Sequence, residues 1–182
     1  MLLLPQHLQY QAKLQQRMLA RILTIGLPYA TGLLKLELDY QQLEDGIFAV
    51  RAVEAVLPDS RYVCQARHDG VVAAHGLQSV QAGQVVPIYV GVRRCIEGAT
   101  NISSGPELSL SSRFRLGRRS IADLGQVDAF AEIEVLEDNL QVLVGNPDFN
   151  AFHALKIASV AGEGGSRYRI VTGDVPSVLR LS

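Results

Sequence analysis

Residues 33–40 read LLKLELDY, in which Leu34, Leu36 and Leu38 alternate with Lys35, Glu37 and Asp39. Successive side chains of a strand point to opposite faces, so a period of two makes one face apolar and the other wet. The same alternation recurs in VVPIYVGV at 85–92, through Val86, Ile88, Val90 and Val92. It recurs again in LSLSSRFRL at 108–116, where Leu108, Leu110, Phe114 and Leu116 oppose Ser109, Ser111, Arg113 and Arg115. AEIEV and LQVLV, joined by Glu137, Asp138 and Asn139, read as a hairpin, and SRYRIV after the glycine turn Gly162-Glu163-Gly164-Gly165 adds a further strand. Many short one-sided strands at this spacing predict a mainly β fold, an antiparallel sandwich or barrel. Loops fall at Glu44 to Gly46, Asp59 to Arg61, Gly98 to Pro106 and Gly145 to Asn150.

Ahead of the strands lies a different pattern. From Pro5 to Leu23, the residues Leu8, Ala12, Leu19, Ile22 and Leu23 share one helical face and Gln9, Lys13, Gln16 and Arg17 another. Pro5 suits a first helical turn, where its missing N–H costs nothing, and Gly26 with Pro28 ends the helix. The apolar run Leu2, Leu3, Leu4 is cut short by Pro5 and has no basic residue before it, whereas a secretory signal needs roughly 7–15 apolar residues together. It is not read as a signal peptide. Leu19, Ile22 and Leu23 are expected to pack on the chain's own sheets, whereas Leu2 to Leu8 either do the same or reach a neighbouring protein.

The 182 residues suffice for a single domain with a proper core. Lys and Arg number 17 against 18 Asp and Glu, a net charge of -1, so no overall field draws the chain to nucleic acid or an anionic membrane. Hydrophobic residues make up 48% of the chain, yet no apolar run approaches the roughly 18 residues of a membrane span, and no direct membrane insertion is expected. The excess implies a large core or a buried interface. Cys64 and Cys95 cannot build a disulfide framework; they are expected to be buried thiols in a cytoplasmic protein.

Catalytic chemistry finds little support. Cys64, His68 and His75 lack the paired short spacings of a metal site, and His7 and His153 have no nucleophile motif beside them. No catalytic, metal or cofactor residue is therefore assigned, and the chain is not read as an enzyme. The basic cluster Arg113, Arg115, Arg118 and Arg119 reads as a solvated strand face, since stacking aromatics and a positive balance are both missing and tryptophan is absent. No nucleic-acid partner is expected. An interaction module fits the remaining features best.

The opening Leu4-Pro5-Gln6-His7-Leu8-Gln9, followed by a glutamine-rich helix, resembles the start of the TssK family, the type VI secretion baseplate component also called ImpJ or VasE. GLLKLELDYQQLEDGIFAV resembles the family's first strands, and Leu57-Pro58-Asp59 resembles its L-P-D-G turn with Ser60 in place of glycine. AEIEVLEDNLQVLV, FHALKIASV and GDVPSVLRL resemble later parts of its amino-terminal region, with Val175-Pro176-Ser177 where two prolines are frequent. The resemblance implies a β-sandwich like the shoulder domain of phage receptor-binding proteins, with residues 1–182 as one domain. It implies a non-enzymatic adaptor that docks on the TssF and TssG wedge, forms trimers in the full-length family, and reaches the membrane complex through a helical neck and a head not present in these residues. Leu2, Leu3, Leu4, Pro5, Gln6, His7, Leu8 and Gln9 are the expected docking segment. A phage-type receptor-binding or carbohydrate-binding sandwich is the alternative.

Overall fold

In a computed structural model of the chain, residues 5–26, 31–67, 70–103, 111–122, 130–165 and 167–171 are described, the side chains of 5–9 and 23–24 aside. Helix α1 runs Pro5–Gly26, and strand β1 covers Gly32–Leu38. A short helix, α2 (Tyr40–Glu44), leads to β2 (Ile47–Val56), β3 (Tyr62–Ala66) and β4 (Ala73–Gly76). There follow β5 (Val85–Arg93), β6 (Ile102–Ser103), β7 (Phe114–Ala122), β8 (Phe130–Asp138), β9 (Gln141–Val144), β10 (Phe152–Gly164) and β11 (Arg167–Val171).

One sheet has the order β1-β2-β3, with β4 also on β2, and a second has the order β11-β10-β5-β9. All pairs in these two sheets are antiparallel. Their inner faces share one core, with Phe48, Val50, Val53 and Leu57 from the first side and Ile88, Val90, Val142 and Ile157 from the second. The fold is thus an antiparallel β-sandwich with an N-terminal helix. Val86, Ile88, Val90 and Val92 are all buried, as their alternation predicts.

Two bulges adjust the periodicity of the first sheet. Between Leu33 and Lys35 the register with β2 slips, so Leu33 rather than Leu34 joins Leu36 and Leu38 against the core. A second slip pairs Glu37 with Ala52 and Leu38 with Val50, leaving Arg51 as the extra residue. An extra residue turns the strand by one side-chain position. Phe48 and Val50 therefore point inward before it and Val53 and Ala55 after it, while Arg51 is exposed. At this same point β2 changes neighbour, from β4 over Ile47–Val50 to β3 over Ala52–Val56.

The expected hairpin through Glu137 to Asn139 does not form. β8, which ends with Glu137 and Asp138, pairs with β7 and β9 pairs with β5, so Asn139 and Leu140 carry the chain from one sheet to another. Asn139 is buried there: its Nδ2 donates to Ser112 O at 3.0 Å and its N–H to Arg113 O at 3.1 Å, contacts that a hairpin tip in water would lack. The glycine turn, by contrast, is where it was expected, joining β10 to β11 with Gly164 and Gly165 at positive φ. Helix α2 lies within a stretch expected to hold only strands and the loop at Glu44 to Gly46. Asp39 caps it by accepting from the N–H groups of Gln41 and Gln42, and Gly46 at φ 77 closes it.

Cys64 and Cys95 are exposed rather than buried. On β3 it is Val63 that faces the core, and alternation puts Tyr62 and Cys64 on the outer face; Cys95 lies beyond the end of β5. His68, Leu108, Leu110 and Val175 to Ser177 lie outside the described residues.

Candidate functional site

β6, β7 and β8 form a third, smaller sheet that is mostly a two-stranded ribbon, paired without a slip from Phe114 opposite Asp138 to Ala122 opposite Phe130. Leu116 and Leu136 are cross-strand partners on one face and are both exposed, as is Phe130 at 68%. On the other face Ile121 and Ile133 are exposed as well. A two-stranded ribbon is marginal in water, and apolar side chains on both faces favour a covering partner.

Helix α1 is the second such surface. Leu19 and Ile22, expected in the core, are 61% and 62% exposed, and Tyr10, Leu14, Met18 and Ile25 are exposed too. The body side of the clefts under the helix is mixed, with Asp59, Arg61 and Asp138 beside Tyr62, Ile96, Phe114 and Leu136, and the apolar residues of the helix stay largely exposed above it. The helix stands off the sandwich, and its Leu14 and Leu19 are exposed. Leu2, Leu3 and Leu4 of the expected docking segment lie outside the described residues. Pro5, Gln6, His7, Leu8 and Gln9 form the first turns of α1, directly before this exposed stretch.

Between helix and ribbon sits a charged cluster built on the Leu57-Pro58-Asp59 turn. Leu57 is fully buried and anchors the turn in the core, whereas Pro58 is exposed and Asp59 half-buried. The Leu57 N–H donates to Arg61 O and the Ser60 N–H to Leu57 O, both at 2.9 Å. Ser60 takes φ 60, the left-handed conformation that glycine enters without strain. Ser60→Gly is expected to stabilise the chain by about 0.5–1 kcal/mol after the added freedom of the unfolded glycine is counted. An increase in the urea midpoint at unchanged m-value checks this; a decrease would show that the serine side chain outweighs the strain.

Arg61 leaves this turn to meet Asp138 at the base of the ribbon, with Nη1 donating to Oδ1 at 3.0 Å. Arg113, 2% exposed, places Nη2 3.1 Å from the same oxygen, although neither of its Nη atoms has hydrogen-bonding geometry to a partner among the described residues. Burial pulls the Arg113 pKa below the usual guanidinium range, Asp138 pulls it up, and Arg61 lowers it again. The ring of Phe114 lies under both guanidiniums, 5.1 Å from Arg113 and 5.8 Å from Arg61. Gln65 Nε2 donates to Asp138 O at 2.7 Å and ties the ribbon base to β3.

The basic cluster is therefore not a uniformly solvated face. Arg113 is in the interior, Arg115 pairs with Glu137 at 3.0 Å, Arg119 approaches the same carboxylate at 3.5 Å, and Arg118 is exposed. The inversion at Arg113 has a simple cause, because the residue precedes β7 and belongs to the junction rather than the ribbon. The signal available in the sequence was Asp138 next to Asn139, two polar residues between apolar strands.

His153 on β10 closes the cluster, with Nε2 3.7 Å from Asp59 Oδ2. Burial depresses its pKa; Asp59 opposes this, and Arg94, Arg113 and Arg61 add to the depression. The unfolded chain therefore binds the His153 proton more readily than the folded one, and stability falls as pH drops below about 6.5 toward the lower folded-state value. His153→Gln is expected to lose this component of the acid dependence. Urea midpoints at pH 7.5 and 5.5, compared between the two proteins, measure it, and equal slopes would refute it.

Among the described residues, no three His, Cys, Asp or Glu side chains come together as metal ligands, and no helix is long and apolar enough to cross a membrane. His75 is exposed, its Nδ1 2.7 Å from Gly76 O.

Residues 7–182 match the bacterial type VI secretion family of EvfL, ImpJ and VasE. The chain belongs to that family. It is similar in fold to a chain in the TssK-TssF-TssG baseplate subcomplex of the type VI secretion system seen by cryo-electron microscopy, at TM-score 0.81 and 18% identity. That match covers 97% of this chain and 58% of the other. It is also similar to a crystal structure of TssK, at TM-score 0.82 and 17% identity, over 94% of this chain and 39% of that one. A third similarity is to TssK from the type VI secretion system of EAEC bound to a nanobody, at TM-score 0.67 and 16% identity, over 90% and 36%. The chain thus spans less than two thirds of these solved chains. No curated protein is significantly similar to it.

Proposed function

We propose that this chain is a structural adaptor of a type VI secretion baseplate, one TssK-like domain over residues 1–182 that docks on a wedge of TssF and TssG and catalyses nothing. The observation that carries the reading is the pair of exposed apolar elements, α1 and the β7–β8 ribbon, standing beside one charged joint in a chain of this family. The similar chain solved with TssF and TssG supports the choice of partner. In this reading the segment Leu2 to Gln9 extends the α1 surface and is its leading contact. Trimer formation and the link to a membrane complex are assigned to the further parts of the longer TssK chains, and the domain works at the cytoplasmic side of the inner membrane.

Co-purification with the cognate TssF–TssG wedge tests the reading. The wild-type chain is expected to be retained, and Leu4→Glu or Leu8→Glu to weaken binding by several kcal/mol because each would bury an unpaired charge, with little change in melting temperature. Loss of thermal stability without loss of affinity would place these leucines in the core instead. Failure of the wild-type chain to bind the wedge, together with retention on immobilised glycans, would favour the receptor-binding alternative.

A further inference from the structure

We infer that Arg61 is a positioning residue that holds α1 and the β7–β8 ribbon in one fixed relation, so that the two protruding surfaces act as a single docking platform. A guanidinium is a rigid planar fork with donors on three sides, and here each side is given to a different element. Nη1 donates to Asp138 Oδ1 at the ribbon base at 3.0 Å, and Nη2 donates to Gln16 Oε1 on α1 at 3.1 Å. Nε lies 3.9 Å from Asp59 Oδ2 of its own turn, and the Arg61 N–H donates to Asp59 Oδ1 at 3.3 Å. The turn therefore fixes the arginine before the arginine fixes anything else.

The helix depends on such a tie because it bridges the body instead of packing on it. Cavities of about 580 and 830 Å³ lie beneath it, both lined by Lys13, Gln16, Arg17, Arg61 and Asp138. Apolar burial holds α1 only weakly across those spaces, since Leu19, which lines one of them, and Ile22 both stay largely exposed. The ribbon base has further supports in Gln65 and Arg113, so loss of Arg61 should release the helix more than the ribbon. A lysine in its place has one point charge and can serve Asp138 or Gln16 but not hold both in a fixed fork.

Pulsed dipolar distance measurements on the full chain test this, in a Cys64→Ser, Cys95→Ser background with spin labels at Gln15→Cys on α1, Ser120→Cys on the ribbon and Ser79→Cys on the body. Arg61→Ala and Arg61→Lys are expected to broaden the helix-to-body distribution at least about twofold and leave the ribbon-to-body distribution narrow. Gln16→Ala, which removes the acceptor on α1 and leaves the Arg61–Asp138 pair in place, should broaden the helix distribution alone and serves if Arg61→Ala fails to fold. Distributions as narrow as wild type in both Arg61→Lys and Gln16→Ala would overturn the positioning role. The platform rests on the proposed function, and Gln16→Ala should weaken wedge binding about tenfold at unchanged melting temperature, through lost preorganisation. Unchanged affinity beside a broadened helix would overturn the platform and leave the docking reading standing, whereas a wild-type chain that does not bind the wedge would overturn both.

Discussion

Asp138→Ala should cost about 3–5 kcal/mol of stability, because it strips the counter-charge from a buried guanidinium while leaving that guanidinium in place. Arg113 is 2% exposed and its nearest carboxylate oxygen is Asp138 Oδ1, which Arg61 also uses. The remaining cations of the cluster, Arg61 and His153 when protonated, would then repel Arg113, with Asp59 as the remaining carboxylate of the cluster to offset them. For a domain of this size the loss lowers the melting temperature by about 2–4 °C per kcal/mol, easily seen by calorimetry. Asp138→Asn should fall between the two, since an amide oxygen still accepts from Arg61 without the charge. Adding Arg113→Met to Asp138→Leu should recover much of the loss, because an apolar pair needs no desolvation of ions. A cost below about 1 kcal/mol for Asp138→Ala would mean the pair behaves as a solvated surface bridge.

Leu57→Ala is expected to destabilise by about 2–5 kcal/mol, the range for a fully buried leucine whose cavity cannot collapse. Leu57 has no exposed surface and sits in the core cluster between the two sheets. Its N–H and C=O also carry the two backbone-to-backbone hydrogen bonds of the turn, so the site has little freedom to close over the gap. Wedge affinity, measured below the lowered melting temperature, should be unchanged, which separates the leucine of this motif from a contact role. An affinity loss with normal stability would place Leu57 at the interface and contradict its burial.

Much of the sandwich was legible because period-two alternation survives wherever one face is buried. Val86 to Val92 is the clearest case: every second residue is in the core because β5 has a sheet partner on each side and a buried face. The same rule misled at Leu34, because a bulge shifts side chains by one position and leaves no mark in the alternation of LLKLELDY. Leu19 and Ile22 of α1 were misassigned for a related reason. An apolar helical stripe predicts that something covers it, not that the covering surface belongs to the same chain.

The sequence by itself determined the local chemistry: strands from alternation, helix α1 from its spacing and from Pro5 and Gly26, the glycine turn before β11, and the family resemblance at Leu57-Pro58-Asp59. Those features depend on neighbours within a few residues, where steric and hydrogen-bonding preferences act directly. Only the tertiary structure decided that β8 and β9 part company at Asn139, that Arg113 is buried, and that Gln16, Asp59, Arg61, Asp138 and His153 meet. Arg61 and Asp138 are far apart along the chain, and a charge carries no local signal of its partner. Their pairing follows from which sheet edges are brought together, which is settled by the burial of the whole core rather than by any one segment.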